Sequence, residues 1–383
     1  MPGKQVLFRA LIASAFGLSC ASADLPRGLT GHASIRRLQP GAKADYQPIT
    51  GAMVTLYQAG TEGYGSTPKI LATALSDSQG NFNIVSFTCD SPASQLYVSA
   101  DQGNGGVGNN TAIDLVAILG PCQSLPSFVD VNELSTIAAA YALSHFMNAS
   151  NPEQIGSPSA ATTNPNGINN AVSIAITNLV DTPTGLAAAF LSTGLNSPAT
   201  LNSLAAILVP CVESSGPASA DCTALFSAAT PVGGSAPVNT LQAALNIALN
   251  PVNNVSQLFT ILQGEQTADL PYTPVLTTAP TDWTLYVFLS PNLSWSRGMA
   301  IDAGGNAWIA NATPPSLTKL SPVGAETDFY SAGFTTPEEP AIDQEGDVWV
   351  TNIEPWTVAE VSSSGTLLFV DQEGTDDLSN PLV

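Results

Sequence analysis

The chain has 383 residues, with 30 acidic against 9 basic side chains and a formal net charge of −21. That balance excludes nucleic acid and anionic membrane surfaces as expected partners, since both are bound through basic faces. Charged residues are only 10% of the chain and apolar ones 44%, which also excludes a disordered acidic tail and leads us to expect two or three domains with buried cores.

Lys4 and Arg9 precede an apolar run from Ala10 to Cys20, and Ala21-Ser22-Ala23 stands before Asp24. The run is far shorter than the roughly twenty residues a membrane-spanning helix needs. Small residues occupy both specificity positions of a cleavage site after Ala23, so residues 1–23 read as a secretory signal peptide. The expected location is secreted, periplasmic or at the cell envelope. A lipoprotein alternative would need Cys20 to be lipidated and a branched aliphatic residue where Gly17 stands. No second hydrophobic segment is long enough to span a membrane. Once Cys20 leaves with the signal, Cys89, Cys122, Cys211 and Cys222 remain, an even set that favours disulfides in an exported chain. The sequence-local pairing, Cys89 with Cys122 and Cys211 with Cys222, is one of the three possible connectivities of four cysteines. The set contains no C-x-x-C pair, and His32 and His145 lie far from it, so no metal and no cofactor is expected.

Residues 24–124 read as a first unit: from Leu29 to about Ala100 the pattern alternates on a two-residue period between turn signals, and 101–124 read as a loop and a last strand or helix tied back to Cys89. The runs Met53–Tyr57, Ile70–Ala74, Phe82–Val85 and Leu96–Ala100 read as half-buried strands of an antiparallel sandwich. In the turn Ser76–Phe82, Gly80 is free to take positive φ and Asp77 is placed to hydrogen-bond back to the backbone. The combination Gly51-Ala52-Met53-Val54-Thr55-Leu56, Thr73 to Ser76 and Asp77-x-x-Gly80-x-Phe82 resembles the carboxypeptidase regulatory-like or Cna-B-like family. The resemblance implies a transthyretin-like β-sandwich used as a spacer or adhesive module. Related domains form isopeptide cross-links from a Lys, an Asn and a buried acid. Lys69 is the only lysine in the strand-rich region and nothing places it by an Asn, so no cross-link is expected.

Residues 125–270 change period and form an Ala-rich, all-α helical unit of about six short helices. Asp130 and Glu133 stand three apart, as in a capping box, ahead of a face made by Leu134, Ile137, Ala138, Tyr141 and His145. Glu133 is read as a cap and His145 as a core histidine, because no Ser, Cys or paired acid in a recognisable motif accompanies either. Further helices are expected over 168–180, 198–209 with Ser197 as N-cap, 220–229, 238–249 and 255–263. Cys211 and Cys222 would clip two consecutive helices into a hairpin.

A Pro/Thr-rich linker is expected over 271–282, followed by repeats over 283–383. Ala300–Asn311 aligns without a gap on Ala341–Asn352 at an offset of 41, and the offset continues through Ser316–Ser321 against Thr357–Ser362 and Gly324 against Gly365. Leu285–Phe288 is expected to be a strand matching 326–329 and 367–370, and Pro381–Val383 falls on Pro340–Ile342. A period near 41 with several short strands is the signature of a β-propeller blade. About two and a half such units cannot bury their own faces, so the chain is expected to be truncated, with further C-terminal blades or partner chains completing the ring. Asp302, Gly305, Asp343 and Gly346 are assigned to the turns between strands, and Trp308 and Trp349 to packing between blades. Asp347 also sits at a turn position.

The Ile-Asp-x-x-Gly-Asn/Asp-x-Trp pattern resembles NHL-repeat proteins and streptogramin lyase-like propellers. Those lyases use histidine, acidic residues and magnesium, but no histidine follows His145, so no catalytic residue carries over. The order of sandwich, helical unit and repeats is also similar to large exported proteins of soil bacteria such as acidobacteria. The expectation is a non-enzymatic recognition or scaffold protein binding a protein or glycan. The alternative is a streptogramin lyase-like enzyme whose active residues lie in further blades.

Overall fold

The computed structural model describes residues 27–37, 45–158, 165–193, 196–265, 272–289, 293–330, 333–353 and 356–371. The expected signal peptide, the lipidation site at Cys20 and the match at Pro381–Val383 lie outside them.

Eight strands form two facing sheets: β1 (Arg27–Arg37), β2 (Asp45–Pro48), β3 (Met53–Gln58), β4 (Lys69–Leu75), β5 (Asn81–Phe87), β6 (Gln95–Asp101), β7 (Asp114–Pro121) and β8 (Phe128–Val131). One sheet is built on β1, which pairs antiparallel with β2 and β5 and parallel with β8; the other has the order β4-β3-β6-β7. β5 alternates buried and exposed over most of its length, as a strand with one wet face should. β7 instead reads Leu115-Val116-Ala117-Ile118-Leu119, apolar at every position and buried at every position. Its second face is covered by α1 (Glu133–Leu143).

β7 ends its sheet, so its outer N–H and C=O groups need partners other than a strand. Hydroxyl side chains supply them at every second residue. Thr240 Oγ1 accepts from the Asp114 N–H at 3.0 Å and donates to the Asp114 carbonyl at 2.7 Å. Two residues on, Thr136 Oγ1 accepts from the Val116 N–H at 3.0 Å, and Ser135 Oγ donates to the Val116 carbonyl at 2.9 Å. Thr182 Oγ1 then donates to the Ile118 carbonyl at 3.2 Å. This ladder closes the edge and welds the sandwich to the helices.

The helical unit continues with a ribbon of β9 (Met147–Asn148) and β10 (Asn151–Ile155), then α2 (Pro165–Ile174), and a ribbon of β11 (Val180–Asp181) and β12 (Leu186–Ala187). It ends with α3 (Ala199–Glu213), α4 (Ala220–Ala228), α5 (Thr240–Leu249) and α6 (Val255–Glu265). Six α-helices are thus present among the described residues, but the two ribbons mean the unit is not all-α. α1 is buried almost all round, against β7, α3 and α5. Its N-cap is Asn132, whose side chain accepts from the Ser135 N–H while the Ser135 hydroxyl accepts from the Asn132 N–H. The expected pair Asp130 and Glu133 is therefore shifted, because β8 runs on through Val131 and keeps Asp130 in a strand. At α3 the N-cap is Pro198, with Ser197 Oγ accepting from the Ala199 N–H.

Sandwich and helices share a large apolar core, which runs from Leu29 and Ile35 through Ile137 and Leu208 to Trp283, and a second cluster that joins Tyr57 and Ile118 to Leu143 and Leu245. Asn110, in a loop of the sandwich, donates to the Cys211 and Val212 carbonyls at the end of α3 and fills part of that helix's need for C-terminal partners. Residues 272–282 of the expected linker, together with Trp283, are strapped across the helices. Tyr272 and Trp283 are buried, Asn202 donates to the Pro274 carbonyl, and the Leu276 N–H donates to Ser203 Oγ.

The two repeats each form a four-stranded antiparallel meander: β13 (Ser296–Ile301), β14 (Ala307–Ala312), β15 (Pro315–Leu320) and β16 (Glu326–Phe329), then β17 (Pro337–Ile342), β18 (Val348–Asn352), β19 (Thr357–Val361) and β20 (Leu367–Val370). Leu285–Phe288 is not a strand. The residues 41 places before β15, which would have to pair with it, are 274–279, and α3 holds that segment at Pro274 and Leu276. Asn196 substitutes for a strand neighbour, accepting from the Phe288 N–H at 2.7 Å and donating to the Phe288 carbonyl at 2.8 Å. No closed ring of sheets is present among the described residues.

Candidate functional site

The repeat residues singled out in the sequence sit in matching places. Asp302 opens a hairpin loop in which its Oδ1 accepts from the N–H groups of Gly304 and Asn306, each at 2.9 Å, and its Oδ2 from Trp308 Nε1 at 2.9 Å. Asp343 accepts from the N–H groups of Glu345 and Asp347 and, at 2.9 Å, from Trp349 Nε1. The indole bond is the largest influence on Asp343 and holds its carboxyl below the usual range. At Asp302 burial opposes ionisation, but the bonds from Asn306 and Trp308 outweigh it in the same direction. Gly305 and Gly346 have φ of +81° and +87°, where a β-carbon is strained.

The tryptophans differ in what covers them. Trp308 is 0% exposed and stacks on Phe329, and Val348, Val350, Ala359 and Val361 of the second sheet close over it. Lys319, paired with Trp308 across β14 and β15, lies 4.6 Å above the ring and 3.7 Å from Asp302. Trp349 has the same place in the second sheet but only half-buried surroundings, and Phe369 on its face is exposed.

The cysteines form the bonds Cys89–Cys122 and Cys211–Cys222. No helix of the described residues is long and apolar enough to cross a membrane. Lys69 forms an ion pair with Asp90 on the surface. His145 is exposed, in a 3-10 turn after α1 that rotates it off the buried face, and is not a core histidine. Glu133 is no cap: it is fully buried, with Oε2 accepting from the Tyr272 hydroxyl at 2.7 Å and Oε1 without a hydrogen-bond partner. Burial pushes its carboxyl up to about 8.

A second buried acid belongs to a cluster the sequence reading missed. Asp101 and Asp114 are directly paired across β6 and β7, and β10 brings Glu153 to them. One carboxylate oxygen from each lies within 4.8 Å of the others. Asp114 is 4% exposed; its Oδ2 accepts from Asn239 Nδ2 at 2.7 Å, whereas its Oδ1 has no hydrogen-bond partner. Asp101 accepts from Ser99 Oγ at 2.9 Å. Burial, then the Glu153 charge, pushes Asp101 up to about 7, and burial with the Asp101 charge drives Asp114 well up too. The cluster opens into a cleft of about 490 Å³ bordered by Met53, Gln102 and Thr111.

No known family's model matches the chain, and no curated protein matches it.

The chemistry available in this cleft is that of oxygen donors and negative charge, suited to a cation or to shared protons. The tighter cavity of about 250 Å³ beside Ala59, Gln95 and Ile168 has no titratable group in its lining. The only sequence signal for the acidic cluster was Asp114 itself, an acid set directly against the apolar run of β7.

Proposed function

We propose that the chain is an exported, non-enzymatic recognition or scaffold protein whose 41-residue units are blades of a β-propeller resembling NHL-repeat proteins. The observation that carries this reading is the stacking of the two meanders. The face of the first sheet bearing Trp308 and Leu317 is covered by the opposite face of the second, while their first strands, β13 and β17, lie closest together. Repeating that step puts another sheet against Trp349, Val358 and Phe369, supplied by further repeats or by a partner chain. Blades stacked in this way curve around an axis near their first strands, and a binding surface forms where the loops gather at the ring's mouth. The disulfides support an oxidising destination, and the sandwich with its welded helices acts as the platform.

The blade geometry is tested by adding a further 41-residue unit after β20. Trp349 emission should shift to the blue and lose most of its quenching by acrylamide. The recognition role is tested by probing arrays of cell-wall glycans and envelope proteins with a chain carrying enough units to close the ring. Saturable binding to one class is expected; failure to bind any of them would sink the reading.

A further inference from the structure

Three carboxylates converge on one cleft at the junction of the sandwich, the β10 ribbon and the N-terminus of α5. We propose that Asp101, Asp114 and Glu153 bind a single calcium ion, which ties the ribbon and α5 to the β6–β7 edge. The decisive group is Asp114 Oδ1. It finds no hydrogen-bond donor although its side chain is 96% buried, and the carboxylate it belongs to stands beside two others. Leaving such an oxygen bare is costly, the more so when it carries charge. No basic side chain of the described residues pairs with any of the three acids, so the repulsion among them is answered by no charge of the protein's own.

The donor set is all oxygen, which selects a hard cation and disfavours zinc or copper. Three protein carboxylates in one site suit calcium, which takes six to eight oxygens in a flexible shell, better than magnesium, which keeps most of its waters and is held by one or two carboxylates. Water entering from the cleft completes the shell. Asn239 is not a ligand: its Nδ2 holds Asp114 Oδ2 and its Oδ1 caps α5 through the Gln242 N–H. A second acidic group, Asp343, Asp347 and Glu360, provides a control, since none of its members is buried and Asp343 is already satisfied by its loop and Trp349.

The test uses the whole chain, stripped with chelator and returned to buffer at neutral pH. Calcium chloride at about 5 mM should raise the melting temperature by about 5 °C, given the sub-millimolar affinities of extracellular calcium modules. Magnesium should give less than half that shift, and calorimetric titration should report one calcium site. Asp114→Asn and Glu153→Gln should melt identically with and without calcium, while Glu360→Gln keeps the full response. Glu153 sits on the half-exposed ribbon, so its variant carries the test if Asp114→Asn does not fold. The proposal is overturned if the native chain shows neither heat nor shift, if Glu153→Gln still responds fully, or if Glu360→Gln abolishes the response. Stabilisation by acid alone, with no calcium effect, would assign the cluster to shared protons and likewise overturn it.

Discussion

Glu133 places a carboxyl group inside the protein with the Tyr272 hydroxyl as its side-chain donor and, among the described residues, no cation beside it. Burial is the dominant influence; the Tyr272 bond partly offsets it, and Glu213 and Asp130 add to it. The folded protein therefore keeps the Glu133 proton up to about pH 8, whereas an unfolded chain releases it near the ordinary glutamate value, roughly 4.3. Between those limits the native state binds more protons than the unfolded state, so stability falls as pH rises. We predict that Glu133→Gln, which preserves shape and the Tyr272 contact, flattens denaturant-derived stability between pH 5 and 8 by close to one proton's slope. The variant should also be more stable than the native chain at pH 8. An unchanged slope would mean that Glu133 ionises in the folded protein as it does in water. Tyr272→Phe should act oppositely, weakening the fold most at high pH, where the carboxylate loses the tyrosine hydroxyl.

One hairpin loop recurs in unrelated parts of the chain: an Asp or Ser accepts from the backbone two to four residues ahead, and a glycine with positive φ comes three residues after it. Asp77 with Gly80, Asp302 with Gly305, Ser321 with Gly324, Asp343 with Gly346 and Ser362 with Gly365 all follow it. These loops were readable in the sequence because their chemistry is local. Gly346 offers the cleanest measurement, since a β-carbon there would meet nothing within 4 Å. Gly346→Ala should cost about 1 kcal/mol from the left-handed backbone alone, read in chemical denaturation; no measurable cost would remove the strain argument. What escaped sequence reading depends on distant partners. The hydroxyl ladder on β7 draws Ser135, Thr136, Thr182 and Thr240 from different segments, and each looks like an ordinary helix or loop residue by itself. Glu133 was misassigned for the same reason: spacing suggested a cap, while its burial is set by Tyr272, far along the chain.

Composition and periodicity separated strand-rich segments from a helix-rich one, but not the way they join. Apolar periodicity shows which face is buried and not what covers it, so it could not reveal that sandwich and helices share their apolar clusters while the repeats keep one of their own. Amide side chains link the two bodies, Asn170 donating to the Gly304 carbonyl and Asn178 to the Val323 carbonyl. Links of that kind contribute about 1 kcal/mol each, too little to couple two cores into one cooperative unit. Heating should therefore give two calorimetric transitions. Trp308→Ala removes the side chain on which the two meanders meet and should cost about 3–5 kcal/mol, lowering the repeats' transition alone. Trp349→Ala, at the uncovered equivalent, should shift it far less. Replacing Cys211 and Cys222 together by Ser opens the link between α3 and α4, a loss on the order of 3 kcal/mol, and should lower only the transition of the sandwich and helices. A single transition that moved with both sets of substitutions would show that the amide links couple the bodies after all.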